Sequence, residues 1–189
     1  MYIKLMINGI QFDIEISPSE TLFAVLRRLG FFGVKFGDEL GLSGSDTVLL
    51  DGHPVNAGSL LAAQAEGHYI ATIEALGEYP DQGWKKTSGL HPLQLAFIQT
   101  GAIQCGYCTP AQILAAKALL DKNPNPSESE IRQAISGVLC RCTGYAKPVQ
   151  AIYRLPRSCA AKRNLKSWMR GFLKYLSPIP LCPPIPIHL

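Results

Sequence analysis

The sequence predicts an α+β fold in which a strand-rich N-terminal part precedes a helical part. The first 16 residues alternate apolar and polar side chains, as strands do, whereas the apolar residues beyond residue 90 recur at helical spacing. A polar stretch over residues 77–90 separates the two patterns and is the expected linker. With 189 residues, 47% of them hydrophobic, the chain can bury a core in one or two domains.

The N-terminal part begins with a predicted β-hairpin whose turn is Asn8-Gly9, a strong two-residue hairpin signal. The alternating apolar residues are Ile3, Leu5 and Ile7 before this turn, and Ile10, Phe12, Ile14 and Ile16 after it. Further strands are predicted over residues 47–50 and 69–74, with a turn at Asp51-Gly52.

A helix is predicted directly after the hairpin. Ser17 is the expected N-cap, Pro18 suits the first helical position, and Glu20 can close a capping box. The apolar residues at helical spacing are Leu22, Val25, Leu26 and Leu29, and Gly30 can end the helix. A hairpin, a crossing helix and further strands together predict a β-grasp-like sheet over residues 1–76.

Four short helices are predicted over residues 91–156, which favours a compact bundle. The first begins at Pro92 and the second at Thr109-Pro110, while Ser127 and Glu130 form a capping box for the third. The fourth covers residues 147–155. The apolar positions of the first three are Leu93, Ala96 and Phe97; Ile113, Ala116 and Leu120; and Ile131, Ile135, Val138 and Leu139.

Charge is distributed unevenly along the chain. Residues 1–130 carry 8 Lys/Arg and 14 Asp/Glu, whereas residues 131–189 carry 10 Lys/Arg and no acidic residue. Residues 157–189 are basic and proline-rich, which favours a disordered, solvated tail over a nucleic-acid site. A basic amphipathic stretch at 165–176 leaves docking on a membrane or partner as the alternative.

Four of the six cysteines form two close pairs, Cys105-Gly-Tyr-Cys108 and Cys140-Arg-Cys142. No apolar run reaches the length of about 18–20 residues that a membrane span needs, and the N-terminus lacks a signal-peptide pattern. We therefore expect a cytoplasmic protein, in which paired cysteines indicate metal binding more often than disulfides.

The spacing of these pairs leaves three kinds of site open. A 2Fe–2S cluster is favoured, because the pairs are predicted at helix boundaries, where free backbone N–H groups stabilise thiolates. A structural zinc site usually has wider pairs than C-x-C. A redox dithiol at Cys105 and Cys108 would require a preceding strand, and none is predicted there.

Longer motifs resemble one known family. GAIQCGYCTPAQILAA and LCRCTGYAKP are similar to the helical domain of the small iron–sulfur subunit of molybdenum hydroxylases, the xanthine dehydrogenase and aldehyde oxidase family. MINGIQFDIEISPSETLFAVLRRLG, VKFG, TVLLDG and PVNA resemble the ferredoxin-like domain of the same family, in the same order. The resemblance covers about residues 1–155. It implies a β-grasp ferredoxin-like domain followed by a four-helix bundle that binds a 2Fe–2S cluster through Cys105, Cys108, Cys140 and Cys142.

The resemblance also implies partners for the chain. Its cluster would lie beside a molybdopterin cofactor held mainly by a separate large subunit, and Gln104 would contact that cofactor. A flavin subunit or another acceptor would receive the electrons. We expect no nucleic-acid partner, and a membrane partner is disfavoured. The chain would be an oxidoreductase subunit that relays electrons, with no catalytic residue of its own.

The ferredoxin-like part lacks the cysteines that this resemblance leads us to expect. Plant-type loops place them as C-x4-C-x2-C with a fourth farther on. The residues in that register are Asp38, Ser43, Asp46 and Gly58. Oxygen ligands suit iron–sulfide chemistry poorly and glycine offers none, so we expect no cluster here. A hard cation bound by this loop is the weaker alternative.

One cluster instead of two would change the electron route. In the family, electrons pass from molybdenum to the helical-domain cluster and then to the ferredoxin-domain cluster. The expected function is therefore electron transfer to a different acceptor. The alternatives are a non-redox structural or assembly subunit, a degenerate gene product and, least favoured, a zinc-stabilised interaction module.

Overall fold

The structure is a computed structural model that describes residues 1–76 and 89–155. Most of the predicted linker and all of the predicted tail at 157–189 lie outside the described residues. None of the helices in the described ranges combines the length and the apolarity that a bilayer span requires.

A five-stranded mixed sheet forms the N-terminal part of the chain. Its strands are β1 (Tyr2–Ile7), β2 (Ile10–Glu15), β3 (Thr47–Leu50), β4 (His53–Asn56) and β5 (Tyr69–Ala71). They lie in the order β2-β1-β5-β3-β4, with β1 and β5 parallel and the other neighbours antiparallel. The alternation predicted for β1 is confirmed, because Ile3, Leu5 and Ile7 are buried while the residues between them are exposed.

Both predicted two-residue turns are confirmed. Asn8 and Gly9 have φ values of 51° and 87°, and Asp51 and Gly52 have values of 50° and 85°. Positive φ at both central residues matches the right-handed twist of the paired strands. The second turn joins β3 to β4, a strand that the sequence patterns did not predict.

The last predicted strand is wrong beyond Ala71. Residues 73–76 form a short 3₁₀ helix instead. The cause is a buried side-chain network: Thr72 donates its N–H to the Asn8 amide oxygen at 2.8 Å. Glu74 then accepts a hydrogen bond from the Gly33 N–H at 2.7 Å, which turns the chain out of the ladder.

The first helix, α1 (Leu22–Arg28), begins later than predicted. Its N-cap is Thr21, whose hydroxyl accepts a hydrogen bond from the first turn. The predicted N-cap Ser17 instead forms a separate turn, in which its N–H donates to the Glu20 carboxylate at 3.3 Å. Thr21 is extended and bridges Leu61, so the backbone cannot be helical any earlier.

Four helices follow at the predicted places: α2 (Pro92–Gln99), α3 (Thr109–Lys122), α4 (Glu128–Ile135) and α5 (Ala146–Tyr153). The capping box of Ser127 and Glu130 is confirmed. The third predicted helix is wrong at its C-terminal end, because α4 stops at Ile135 and Leu139 lies beyond it. The Leu139 N–H donates to the Ser43 carbonyl at 2.8 Å instead of to a helical carbonyl.

The buried apolar residues form two clusters. One lies between α1 and the sheet and includes Leu5, Val25, Phe31 and Ile70. The other fills the space between the four later helices, and it also contains Leu49 of β3 and Ala71 of β5. The helices therefore pack directly on one end of the sheet, which brings the loop after α1 close to the paired cysteines.

Candidate metal centre

The four paired cysteines lie on two loops that meet at the start of α3. Cys108 is the N-cap residue of α3, and Cys105 precedes it on the same loop. Cys140 and Cys142 lie between α4 and α5, as predicted. All four are free thiols; Cys108 is buried, Cys140 is half-buried, and Cys105 and Cys142 are exposed. One side of the group therefore faces the protein and the other faces solvent.

The thiols of the two loops meet in pairs. Cys108 contacts Cys140, and Cys105 contacts Cys142. The pKa of the Cys108 thiol is raised to about 12, mainly by burial and in smaller part by the nearby Cys140 and Cys105. The hydrogen bond with Cys105 raises the pKa of Cys142. Thiols from separate parts of the chain are thus gathered at one place, where a bound cation would offset the repulsion between their thiolate forms.

Cys140 is the cysteine with the most hydrogen-bond support in this group. The Thr143 hydroxyl lies 3.1 Å from its sulfur, and the Thr143 backbone N–H donates to it at 3.4 Å. Burial opposes ionisation of Cys140, but the hydrogen bonds from Thr143, Cys142 and Cys108 outweigh it and lower its pKa. The Tyr145 hydroxyl accepts a hydrogen bond from the Cys140 backbone N–H at 2.8 Å.

This donor set fits a 2Fe–2S cluster. Such clusters take four cysteine thiolates, two on each iron, and N–H groups aimed at the sulfurs tune their potential. The paired thiols and the Thr143 N–H provide both features. Within residues 1–76 and 89–155, no group of three or more His, Cys, Asp or Glu side chains is placed so that it could hold a metal ion, so the fit depends on the chemistry of the four donors.

Gln104 lies on the exposed surface of the first cysteine loop. It precedes Cys105, and the apolar side chains of Ile103 and Tyr107 on the same loop are 40% and 48% exposed. Across the group, Leu139 is 58% exposed. The predicted contact of Gln104 with a cofactor on another chain stays a prediction.

The positions that lack cysteine also lie together. The Asp46 carboxylate accepts a hydrogen bond from the Gly58 N–H at 2.5 Å, and the Asp38 carboxylate accepts one from the Ser43 N–H at 2.6 Å. A Cβ added to Gly58 would lie 2.9 Å from the Asp46 carboxylate and 3.5 Å from the Asp38 carbonyl oxygen. The loop thus gathers Asp38, Ser43, Asp46 and Gly58 into one small region.

Backbone N–H groups surround the Asp38 carboxylate. Besides the N–H of Ser43, those of Leu40 and Leu42 donate to it at 2.8 and 2.9 Å. The bond from Leu42 is the strongest cause that lowers the pKa of Asp38 to about 2, despite some desolvation. Such surroundings are typical of a bound anion rather than a bound cation, since the N–H dipoles point their positive ends inward.

The sequence patterns missed two residues that support the candidate centre, Thr143 and Tyr145. Both lie in the quoted motif LCRCTGYAKP, but neither is a metal ligand. A threonine shortly after a candidate thiolate is a usable signal, because Ser and Thr often make such local hydrogen bonds. No local signal indicates that Tyr145 turns back onto Cys140.

Residues 72–153 match the family model described as the 2Fe-2S binding domain, Fer2_2. The chain is 43% identical over 159 residues to the nicotinate dehydrogenase small FeS subunit of Eubacterium barkeri, covering 84% of this chain and 96% of that protein. It is 39% identical over 155 residues to the xanthine dehydrogenase iron-sulfur-binding subunit of Escherichia coli O157:H7, covering 79% and 91%.

Solved structures of similar proteins agree with these matches. Quinoline 2-oxidoreductase from Pseudomonas putida 86 has a chain that superposes with a TM-score of 0.78 at 38% identity, covering 87% of this chain and 98% of that one. The aldehyde oxidoreductase of Desulfovibrio gigas gives a TM-score of 0.76 at 36% identity. There the match covers 88% of this chain but 18% of the longer one.

Proposed function

The chain belongs to the family of small iron–sulfur subunits of molybdenum hydroxylases, and on this premise we propose that it transfers electrons through a single 2Fe–2S cluster. The ligands of this cluster are Cys105, Cys108, Cys140 and Cys142. The observation that carries the proposal is that four free cysteines lie on two loops beside the start of α3, where the Thr143 N–H donates to the Cys140 sulfur. When bound, the cluster supplies a reversible one-electron step.

We propose that the chain is divided into two domains. Residues 1–76 form a ferredoxin-like β-grasp domain, residues 91–156 form a four-helix domain, and residues 77–90 link them. The separate apolar cluster between α1 and the sheet supports the first domain, and the cluster among α2–α5 supports the second. Because the second cluster includes Leu49 and Ala71, the two domains pack on each other.

The chain's own residues have distinct tasks in this proposal. The buried Cys108 and the hydrogen-bonded Cys140 hold the protein-facing side of the cluster. Cys105 and Cys142 hold its solvent-facing side, which keeps the cluster close to the surface. A short distance between the cluster and that surface favours fast electron transfer, because the electron must pass to or from a group on another chain.

A large partner subunit that holds molybdopterin would dock on this surface, with Gln104 contacting that cofactor. Support comes from the exposed apolar side chains of Ile103, Tyr107 and Leu139 beside the cysteines. Aromatic and aliphatic residues of this kind are typical of the buried centre of a protein interface. Oxidation of an aldehyde or N-heterocycle would take place on that partner.

The ferredoxin-like domain holds no cluster in this proposal. Gly58 offers no ligand, and backbone N–H groups donate to the Asp38 carboxylate and to one oxygen of the Asp46 carboxylate. Electrons therefore leave the one cluster for a different acceptor, whether a flavin subunit or another protein.

Iron and sulfide analysis of anaerobically purified protein tests the one-cluster proposal. We expect about two irons per chain and one paramagnetic centre on reduction. About four irons and two centres would contradict a single cluster, and bound zinc without iron would contradict electron transfer. Serine substitution of Cys108 should abolish the centre, whereas Cys159→Ser, outside both paired motifs, should not.

The second candidate function is a non-redox structural subunit, which the internally hydrogen-bonded loop around Asp38 favours. Reoxidation of the assembled complex separates the two functions. We expect Cys105→Ser to slow turnover severely while the complex still assembles. Unchanged turnover in that variant would favour the structural role.

A further inference from the structure

The loop over residues 36–46, which we call the ligand-free loop, is hydrogen-bonded to both cysteine loops. The Tyr107 hydroxyl, between Cys105 and Cys108 in the chain, donates to the Phe36 carbonyl at 2.5 Å. The Leu139 N–H, immediately before Cys140, donates to the Ser43 carbonyl at 2.8 Å. Each cysteine loop therefore donates one hydrogen bond to a backbone carbonyl of the ligand-free loop.

Close packing adds a third contact between these loops. A Cβ on Gly44 would lie only 2.0 Å from the Gly137 carbonyl oxygen and 3.2 Å from the Val138 Cα. Gly44 also has a φ of 63°, which side chains rarely adopt. Backbone thus lies against backbone here, and this contact fixes how far the segment leading to Cys140 can move toward the ligand-free loop.

The ligand-free loop keeps its shape through carboxylates. Asp38 accepts three backbone N–H bonds within the loop, and Asp46 accepts one from Gly58. In cluster-binding loops, backbone N–H groups of this kind donate to sulfur atoms. Here carboxylate oxygens supply the negative charge and the acceptors.

We propose that the ligand-free loop is a buttress for the 2Fe–2S site, in which Asp38 and Asp46 replace a cluster as acceptors for backbone N–H groups of the loop and of Gly58. This inference rests on the proposed function, since it requires a cluster on the paired cysteines. The carboxylates fix the conformation of the loop, and the loop fixes the positions of the two cysteine segments relative to each other. Substitutions in the loop therefore change a metal centre whose ligands they do not touch.

The first test compares Asp38→Asn with Asp13→Asn in the purified full-length chain with its partner subunit. Asparagine places an N–H₂ group against at least one of the backbone donors around Asp38, which weakens the loop. Asp13 is an exposed strand residue whose carboxylate accepts from the Gln11 side chain. We expect Asp38→Asn to speed the loss of iron to a chelator several-fold and to alter the g-values of the reduced centre, with Asp13→Asn unchanged.

The second test compares Gly44→Ala with Gly67→Ala. Both residues have positive φ, of 63° and 79°, so both variants carry a similar backbone penalty. A Cβ on Gly67 meets nothing within 4 Å, whereas one on Gly44 meets the Gly137 carbonyl. We expect only Gly44→Ala to change the paramagnetic signal and to speed hydrogen exchange of the Leu139 amide.

The outcomes distinguish this inference from the proposed function. Wild-type protein without iron would overturn both. Wild-type protein with a normal centre, together with unchanged signals and chelation rates in Asp38→Asn and Gly44→Ala, would overturn the buttress and leave electron transfer intact. If either variant fails to fold, Tyr107→Phe replaces it, because this change removes a single hydroxyl from a half-exposed side chain. An unchanged centre in Tyr107→Phe would then count against the buttress.

Discussion

The Tyr145 hydroxyl binds both ends of the segment that leads to the second cysteine pair: it accepts from the Cys140 N–H at 2.8 Å and donates to the Val138 carbonyl at 3.2 Å. Tyr145 has a φ of 65°, in the left-handed region that bulky residues rarely adopt. The strained backbone of Tyr145 is thus coupled to two hydrogen bonds that fix the position of Cys140.

Tyr145→Phe should destabilise the protein by about 1–3 kcal/mol, because a partly buried N–H loses its acceptor. We also expect faster loss of iron, since Cys140 gains freedom. Chemical denaturation and chelator kinetics measure the two effects. Tyr153→Phe is the matched control, since that side chain is 64% exposed. Equal stability of the two variants would contradict the role of Tyr145.

Thr143→Val should lower the reduction potential of the proposed cluster. The hydroxyl lies 3.1 Å from the Cys140 sulfur, and a hydrogen bond to sulfur stabilises the more negative, reduced state. Thr143→Ser keeps the hydroxyl and should restore most of the potential. A redox titration followed by the paramagnetic signal measures both. Identical potentials for the valine variant and the wild type would refute this role.

Asp38 should contribute stability that disappears in acid. Its pKa is lowered from 3.8 to about 2, so the contribution is complete above pH 3.8 and is lost as the pH falls toward 2. The stability difference between wild type and Asp38→Asn should therefore be constant from about pH 7 to 5 and shrink below about pH 4. Denaturation of both proteins across this range measures it. A stability difference between the two proteins that grows in acid would contradict the lowered pKa of Asp38.

Introducing four cysteines into the ferredoxin-like part should create a second cluster. The positions of Asp38, Ser43, Asp46 and Gly58 lie together, so the quadruple variant with cysteine at all four should raise iron from about two to about four atoms per chain. The triple variant that keeps Gly58 is the control, and it should gain little. If the quadruple variant gains no iron, the loop backbone does not retain a cluster-binding geometry.

Gly33→Ala should cost about 1–3 kcal/mol of stability through overpacking. A Cβ there would lie 2.2 Å from the Ile73 side chain and 2.8 Å from the Glu74 carboxylate, and Ile73 is buried. Gly137→Ala is the control, because a Cβ at that position meets nothing within 4 Å and its φ is not positive. Thermal unfolding compares them, and equal midpoints would contradict the close packing at Gly33.

Local sequence chemistry accounts for the parts of the fold that were predicted correctly. Asn8-Gly9 and Asp51-Gly52 form turns because these residues adopt positive φ at little cost. The Ser127–Glu130 capping box starts α4 for a similarly local reason. The predictions were wrong where a residue distant in the sequence decides where an element begins or ends. Thr21 replaces Ser17 as the N-cap because it bridges Leu61.

The sequence by itself determined the two cysteine pairs and the four late helices, since these depend on residue identity and short spacing. The prediction that four expected cysteines are replaced came from the resemblance of longer motifs to one family. Only the tertiary structure decided that Cys108 meets Cys140, and that Ser43 and Gly44 lie against the segment before Cys140. Such contacts join residues far apart in the chain. They depend on how the helices pack against the sheet, a property of the whole core that no short stretch of sequence encodes.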